Sequence, residues 1–284
     1  MGFVYYVTLF VFIDDWVGLQ SSAGKLNALL FSLLASLCLF SLSICVLVDP
    51  GRVPASYAPD VEDSGWSNSN VKVDGFFLWC YKRRFDVGVK LRKNGFIVDA
   101  VTETRKCDKC FAYKPLRTHH CRVCRRCVLK MDHHCLWINN CVGYANYKAF
   151  FILVFYATVA SIYSTVLLVC CAFKNGDSYA GNVPLKTFIV SCGIFMIGLS
   201  ITLGTLLCWH IYLITHNMTT IEHYDSKRAS WLARKSGQSY RHQFDVGFYK
   251  NLTSVLGPNM IKWLCPTFTR NPEDGISFSA SRDS

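Results

Sequence analysis

Acidic residues are scarce in this sequence of 284 residues: 19 Asp and Glu stand against 30 Lys and Arg, a net charge of +11. An imbalance of that sign points to an anionic partner, nucleic acid or a membrane surface. A leader for export is not expected. The amino-terminal run has no basic head and no small-residue cleavage site, so no cleavable signal peptide is expected. Myristoylation is not expected either, because Tyr6 stands where the Met-Gly-x-x-x motif calls for Ser or Thr. Internal repetition is sparse, and only short Cys-x2-Cys units recur.

Apolar residue types are abundant. They make up 51% of the chain, aromatics 14%, and the mean hydropathy is positive. Such values exceed those of an ordinary soluble domain and suggest side chains that face lipid. A bilayer core takes about 20 apolar residues in helical form. Residues 27–48, 150–173 and 188–214 meet that length, and 1–19 is read as a shorter first span with Asp14 and Asp15 at its outer end, an interfacial helix being the alternative. The expected fold is an α-helical polytopic membrane protein with four transmembrane helices. In the last span, Gly193, Gly198, Ser200 and Gly204 are expected to let neighbouring helices approach closely.

Charge sets the orientation. Eighteen of the Lys and Arg fall between Pro50 and Lys148 and nine lie after Thr215, whereas the short outer connections hold only Lys25, Lys174 and Lys186. Positive segments stay cytosolic, so the large middle loop and both termini are expected there. Asp49-Pro50-Gly51 stops the second span. The organisation that follows is 1–48 for spans 1 and 2, 49–104 for a cytosolic linker, 105–149 for a cysteine-rich domain, 150–214 for spans 3 and 4, and 215–284 for a cytosolic tail. Within the linker, 52–75 is polar. The aromatic and basic stretch 76–85 suits a membrane interface.

Seven of fifteen cysteines and four of eight histidines lie between Cys107 and Cys141. A secreted disulfide scaffold would not be so rich in His, and mixed Cys and His at short spacing indicate zinc in a reducing compartment. Cys107 and Cys110 form one Cys-x2-Cys pair; Cys121, Cys124 and Cys127 form two overlapping ones. Two closed sites of four ligands would use eight of the eleven donors and leave three. Spacing does not say which three, and by itself it equally fits a zinc module for protein binding.

Asp132-His133-His134-Cys135 shifts that balance. In an extended segment His133 and Cys135 share a face. An imidazole beside a thiol can take its proton or stabilise its thiolate, and a carboxylate next to the imidazole can fix its tautomer. These are the residue types of an activated nucleophile.

At these residues the chain resembles the DHHC family of protein S-acyltransferases, in a plant-like four-span form. Lys114-Pro115 with Arg117, His120-Cys121, the tetrad 132–135, Trp137, Asn140-Cys141 and Asn146 carry the resemblance, with Leu136 in place of the Pro common after the tetrad. Similarity to the family implies two interleaved structural zincs, one on Cys107, Cys110, His120 and Cys127, the other on Cys121, Cys124, His134 and Cys141. Cys135, His133 and His119 are then left over. Thr219-Thr220-x-Glu222 resembles the family's TTxE motif, implying Thr side chains that position Asp132 or the helix ends; a helix cap is the plainer reading. Asn251 to Gly257 resembles the carboxy-terminal motif that packs the tail onto the membrane domain. Residues 76–101 match nothing in the family and are read as either an insertion with its own role or a poorly ordered passenger.

The resemblance implies a palmitoyltransferase. Cys135 would attack acyl-CoA, with His133 as base and Asp132 orienting it, and the acyl group would pass to cysteines of membrane-associated proteins. Trp137 is expected at the mouth of an acyl cavity. Arg117, Arg122, Arg125, Arg126 and Lys130 are candidates for the CoA phosphates or for lipid headgroups. The expected partners are acyl-CoA, protein substrates and the bilayer, with no nucleic acid, and the expected location is an endomembrane, the Golgi foremost. One rival reading is a membrane-anchored zinc adaptor, which leaves Asp132, His133 and Cys135 without a task; another is a basic zinc-finger nucleic-acid binder, which four spans would tether away from most nucleic acid.

Overall fold

A computed structural model describes residues 1–58, 105–180, 182–235, 237, 239–268 and 275–278. The expected linker and insertion between 59 and 104 lie outside them. The chain divides into two units: one contains residues 1–47, 148–212 and 256–268, the other 48–147, 213–255 and 269–284.

The first unit is helical. A short run at the amino terminus comprises α1 (Gly2–Val7), a π-helical segment (Thr8–Ile13) and α2 (Asp14–Val17). It ends at Gly18, whose positive φ of 77° directs the chain out of the helix. Three longer helices follow: α3 (Ser22–Leu47), α4 (Tyr147–Ala180) and α5 (Val183–Thr215). Among the described residues, these three are long and apolar enough to cross a membrane. The run 2–17 is helical as expected, yet at about 1.5 Å per residue it reaches only about 24 Å, short of a bilayer core.

Half of the spanning stretch of α4 is buried, against 28% for α3 and 22% for α5, so α4 is the central helix of this unit. Phe31 stacks between Tyr5 and Tyr163 in its core. Because lipid offers hydroxyls no partner, they pair across helices: Tyr5 with Ser32, Thr8 with Ser164, Tyr163 with Asn27, and Thr165 with Ser200. The small residues of α5 behave unevenly. A Cβ on Gly193 would touch Leu168, whereas Gly198 and Gly204 face open space. Close helix approach is therefore not their role at 198 and 204.

The second unit is built from three antiparallel hairpins: β1 (Arg105–Cys107) with β2 (Ala112–Lys114), β3 (His119–Cys121) with β4 (Arg126–Val128), and β5 (His133–Cys135) with β6 (Asn140–Val142). Their first strands begin at 105, 119 and 133. The turn residues with positive φ fall at Phe111, Arg125 and Asn139. The hairpins thus repeat with a period of 14 residues, which corrects the expectation that nothing recurs beyond the Cys-x2-Cys pairs. The repeat is hidden in composition because only Cys107, Cys121 and Cys135 keep their type at all three positions.

The segment after α3 joins this unit. Gly51 O accepts from Leu129 N, Pro50 O from Ala145 N, and Asn140 Nδ2 donates to Val48 O. Gly143 permits this approach. A Cβ there would lie 2.6 Å from Val128 Cγ1 and 2.8 Å from Pro50 O. Gly143→Ala is expected to cost about 1–3 kcal/mol by overpacking, seen as a lower Tm; an unchanged Tm would refute the close fit. Helices α6 (Thr220–Lys235) and α7 (Phe248–Leu256) complete the architecture.

Candidate active site

Two donor sets form where successive hairpins meet. Cys107, Cys110, His120 and Cys127 converge in one; Cys121, Cys124, His134 and Cys141 converge in the other. In the first, His120 Nδ1 lies 3.5, 3.2 and 3.9 Å from the sulfurs of Cys107, Cys110 and Cys127. In the second, His134 Nδ1 lies 3.7, 3.4 and 3.6 Å from those of Cys121, Cys124 and Cys141. Tetrahedral zinc with ordinary bond lengths places S and N about 3.6 Å apart, and two sulfurs about 3.8 Å. The observed spacings fit. So does the electrostatics: burial and neighbouring thiols push the Cys127 and Cys141 thiols up, so a cation is needed to hold three thiolates together. Each set takes its Cys-x2-Cys pair from one hairpin and its His and last Cys from the next.

Cys135 belongs to neither set. It occupies the position of Cys107 and Cys121 in the third hairpin, and the partner position held by Cys110 and Cys124 is Ile138. Cys135 is nearly buried, while the adjacent Leu136 and Trp137 are 83% and 94% exposed. Burial opposes its thiolate, but a hydrogen bond from His133 and the backbone N–H groups of Ile138 and Trp137 outweigh it and lower the thiol below its ordinary value. His133 Nδ1 donates to Asp132 Oδ2 at 2.6 Å. Burial disfavours the imidazolium, yet the Asp132 and Cys135 hydrogen bonds raise His133 to about 9. Both shifts run in the direction that favours an imidazolium beside a thiolate. His119, the third leftover, is half-buried in β3 opposite Val128.

Asp132 is fully buried. Thr220 N donates to its Oδ1 at 2.7 Å and Thr220 Oγ1 to its Oδ2 at 2.9 Å. Thr219 and Glu222 form a reciprocal cap on α6: Glu222 N donates to Thr219 Oγ1, and Thr219 N to Glu222 Oε2. Thr220 thus contacts Asp132, and Thr219 caps α6. Asn251 Nδ2 donates to Thr215 O and Asp245 Oδ1, tying α7 to the end of α5.

Arg117 is not available for phosphate. It is buried, donates twice to Glu222 and twice to Asn217, and its guanidinium lies 4.3 and 4.9 Å from the Phe244 and Phe278 ring centres. Sequence reading placed it among the phosphate candidates because a partner 105 residues away leaves no local signal. Lys130 turns inward too, donating to Asn217 Oδ1, and Arg126 pairs with Asp49. Arg122 and Arg125 are exposed.

Glu222 gives a test with a defined sign. Burial would raise its carboxyl, but Arg117 holds it down at about 2. A depressed carboxylate stabilises the fold above its unfolded value, about 4.3, and loses that contribution as pH falls towards 2. Glu222→Gln is expected to lower stability by about 3 kcal/mol near neutrality, with the gap to wild type closing between pH 4.5 and 2. Metal release in acid is common to both proteins and cancels. A gap independent of pH would refute the ion pair as its cause.

The family model for DHHC palmitoyltransferase matches residues 100–227. The chain belongs to the DHHC palmitoyltransferase family and is on that ground a protein S-acyltransferase. It is 89% identical over 284 residues to probable protein S-acyltransferase 15 of Arabidopsis thaliana, with 100% of both chains covered. Probable protein S-acyltransferase 16 of Arabidopsis thaliana is 47% identical, over 100% of this chain and 91% of its own. Palmitoyltransferase ZDHHC15 of Rattus norvegicus is 36% identical over 61% of this chain and 50% of its own.

Proposed function

We propose that the enzyme carries the acyl group on Cys135 and draws it from a long-chain acyl-CoA. The observation that carries this reading is the hydrogen-bonded series Thr220, Asp132, His133, Cys135 beside eight donors already grouped in two metal-type sets. In the first step the Cys135 thiolate attacks the thioester carbonyl. A new carbon–sulfur bond forms, the bond to CoA breaks, and the proton held on His133 passes to the departing CoA sulfur. In the second step a cysteine thiol of a protein substrate gives its proton to His133 and attacks the acyl-enzyme, and Cys135 leaves as thiolate. Asp132 keeps the His133 tautomer throughout. The donor sets would hold zinc as a structural ion that fixes the strands around Cys135.

The remaining parts of the proposal concern setting. The exposed Arg122 and Arg125 suit the CoA phosphates better than Arg126 and Lys130, whose heads are engaged. Trp137, exposed beside the nucleophile, suits an acyl chain at the membrane. The helical run 2–17 serves as a short first span of four, its deficit in length met by local thinning of the bilayer, with its acids at the outer end. The charge asymmetry supports cytosolic termini and a cytosolic active site, and an endomembrane such as the Golgi supplies membrane-associated protein substrates. The test is to incubate the purified protein with labelled palmitoyl-CoA and then with a cysteine-bearing membrane protein. A hydroxylamine-sensitive label is expected first on the enzyme and then on the acceptor. Label that reaches the acceptor without passing through the enzyme would sink the two-step scheme.

A further inference from the structure

The 14-residue period carries a consequence for the third hairpin. In the first two, the turn after the leading cysteine brings a second cysteine, Cys110 or Cys124, to the same metal set. The turn also offers two backbone N–H groups to the leading sulfur: those of Cys110 and Lys109 to Cys107, and of Cys124 and Val123 to Cys121. Cys124 N reaches Cys121 Sγ at 3.3 Å. The third hairpin keeps this cradle, with Ile138 and Trp137 as the donors to Cys135, and keeps the positive φ at Asn139. It lacks the second thiol. Ile138, 3% exposed, stands in its place. It also lacks a following hairpin, because α4 begins at Tyr147, so no further His and Cys arrive to close a set.

We propose that Ile138 is a specificity-determining residue for the reaction: by occupying the second thiolate position of a metal-binding turn, it keeps Cys135 in the amide cradle as a free nucleophile and out of reach of a thiophilic divalent cation. The turn supplies the anion stabilisation that its two sisters give to metal-bound sulfur, and the side chain at 138 decides whether a metal or a substrate meets that sulfur. His133, hydrogen-bonded to Cys135, is the donor that a cation would recruit third.

The inference rests on the reading of Cys135 as acyl carrier, and its test has a readout apart from activity. Ile138→Cys restores the pair. After equilibration with zinc and removal of the excess, it is expected to bind three metals per chain where wild type binds two. The double variant Cys135→Ser with Ile138→Cys returns to two. Acyl-enzyme formation by Ile138→Cys should be at least about ten-fold slower than wild type and recover on brief exposure to a weak chelator. Ile138→Cys holding two metals, or three with an undiminished rate, overturns the proposal. Should Ile138→Cys and Ile138→His both lose the two native metals, Ile138 is a packing residue and the proposal is likewise overturned. Failure of the underlying reading would look different: wild type would then form no adduct that depends on Cys135, whatever the metal count of the variants.

Discussion

Replacing Cys135 by Ser should abolish the acyl-enzyme and leave the metal content at two per chain. A hydroxyl is a far poorer nucleophile than a thiolate, and Cys135 lies outside both donor sets. The neighbouring histidines should then part company. His133→Ala removes the group that holds the proton, so both steps slow by about 10²–10⁴-fold, with two metals retained. His134→Ala removes a donor that lies within 3.7 Å of three sulfurs, so it should lose a metal and destabilise the second unit. A zinc adaptor gives no reason for such a contrast between adjacent residues. Metal analysis of the three purified variants, alongside labelling with palmitoyl-CoA, decides the matter. A hydroxylamine-sensitive adduct on Cys135→Ser at the wild-type level would place the nucleophile elsewhere.

Removal of a metal donor should have the second large effect. Structural zinc contributes about 10–16 kcal/mol to the folding of small zinc modules, as much as a domain's whole net stability. Cys107→Ala and Cys141→Ala are each expected to lose metal and to unfold part of the hairpin series, measured as zinc per chain and as protease sensitivity. Their effects on acylation should differ in directness. Cys141 pairs across from His134 in the hairpin that carries the tetrad, so its loss frees β5 from its metal. Cys107 lies in the first hairpin, two repeats before Cys135. Two zincs retained in both variants would break the interleaved assignment.

The donor types, the tetrad and the long apolar helices were legible in the sequence because each has a local signature. Helices α3, α4 and α5 begin and end within a few residues of the apolar runs that announce them, except that α4 runs on to Ala180. Spacing left open which three donors stay free, and the resemblance filled that gap. The 14-residue period could have done so from sequence alone: His119-His120-Cys121-x2-Cys124-x2-Cys127-Val128 aligns with His133-His134-Cys135-x2-Ile138-x2-Cys141-Val142, with Ile138 as the break. What could not be read is the pairing of Arg117 with Glu222, or the packing of Phe244 and Phe278 on its guanidinium. Those contacts depend on four segments brought together in space, and none has a periodic trace. Arg117 reads as one phosphate candidate among several in the sequence, while its charge is consumed inside the fold.

The sharing of donors between successive hairpins also imposes an order in time. As the chain emerges from the ribosome, the first set cannot close until Cys127 is out, and the second waits for Cys141. Cys135 therefore appears before the donor that completes the set around its own hairpin. For that interval the emerging chain holds Cys121, Cys124 and His134 beside a competing thiol, and only the arrival of Cys141 settles which sulfurs keep the ion. A delay in exposing residues 136–141 would favour the wrong choice, so the pace at which that stretch leaves the ribosome bears on how much of the chain matures with Cys135 outside both sets.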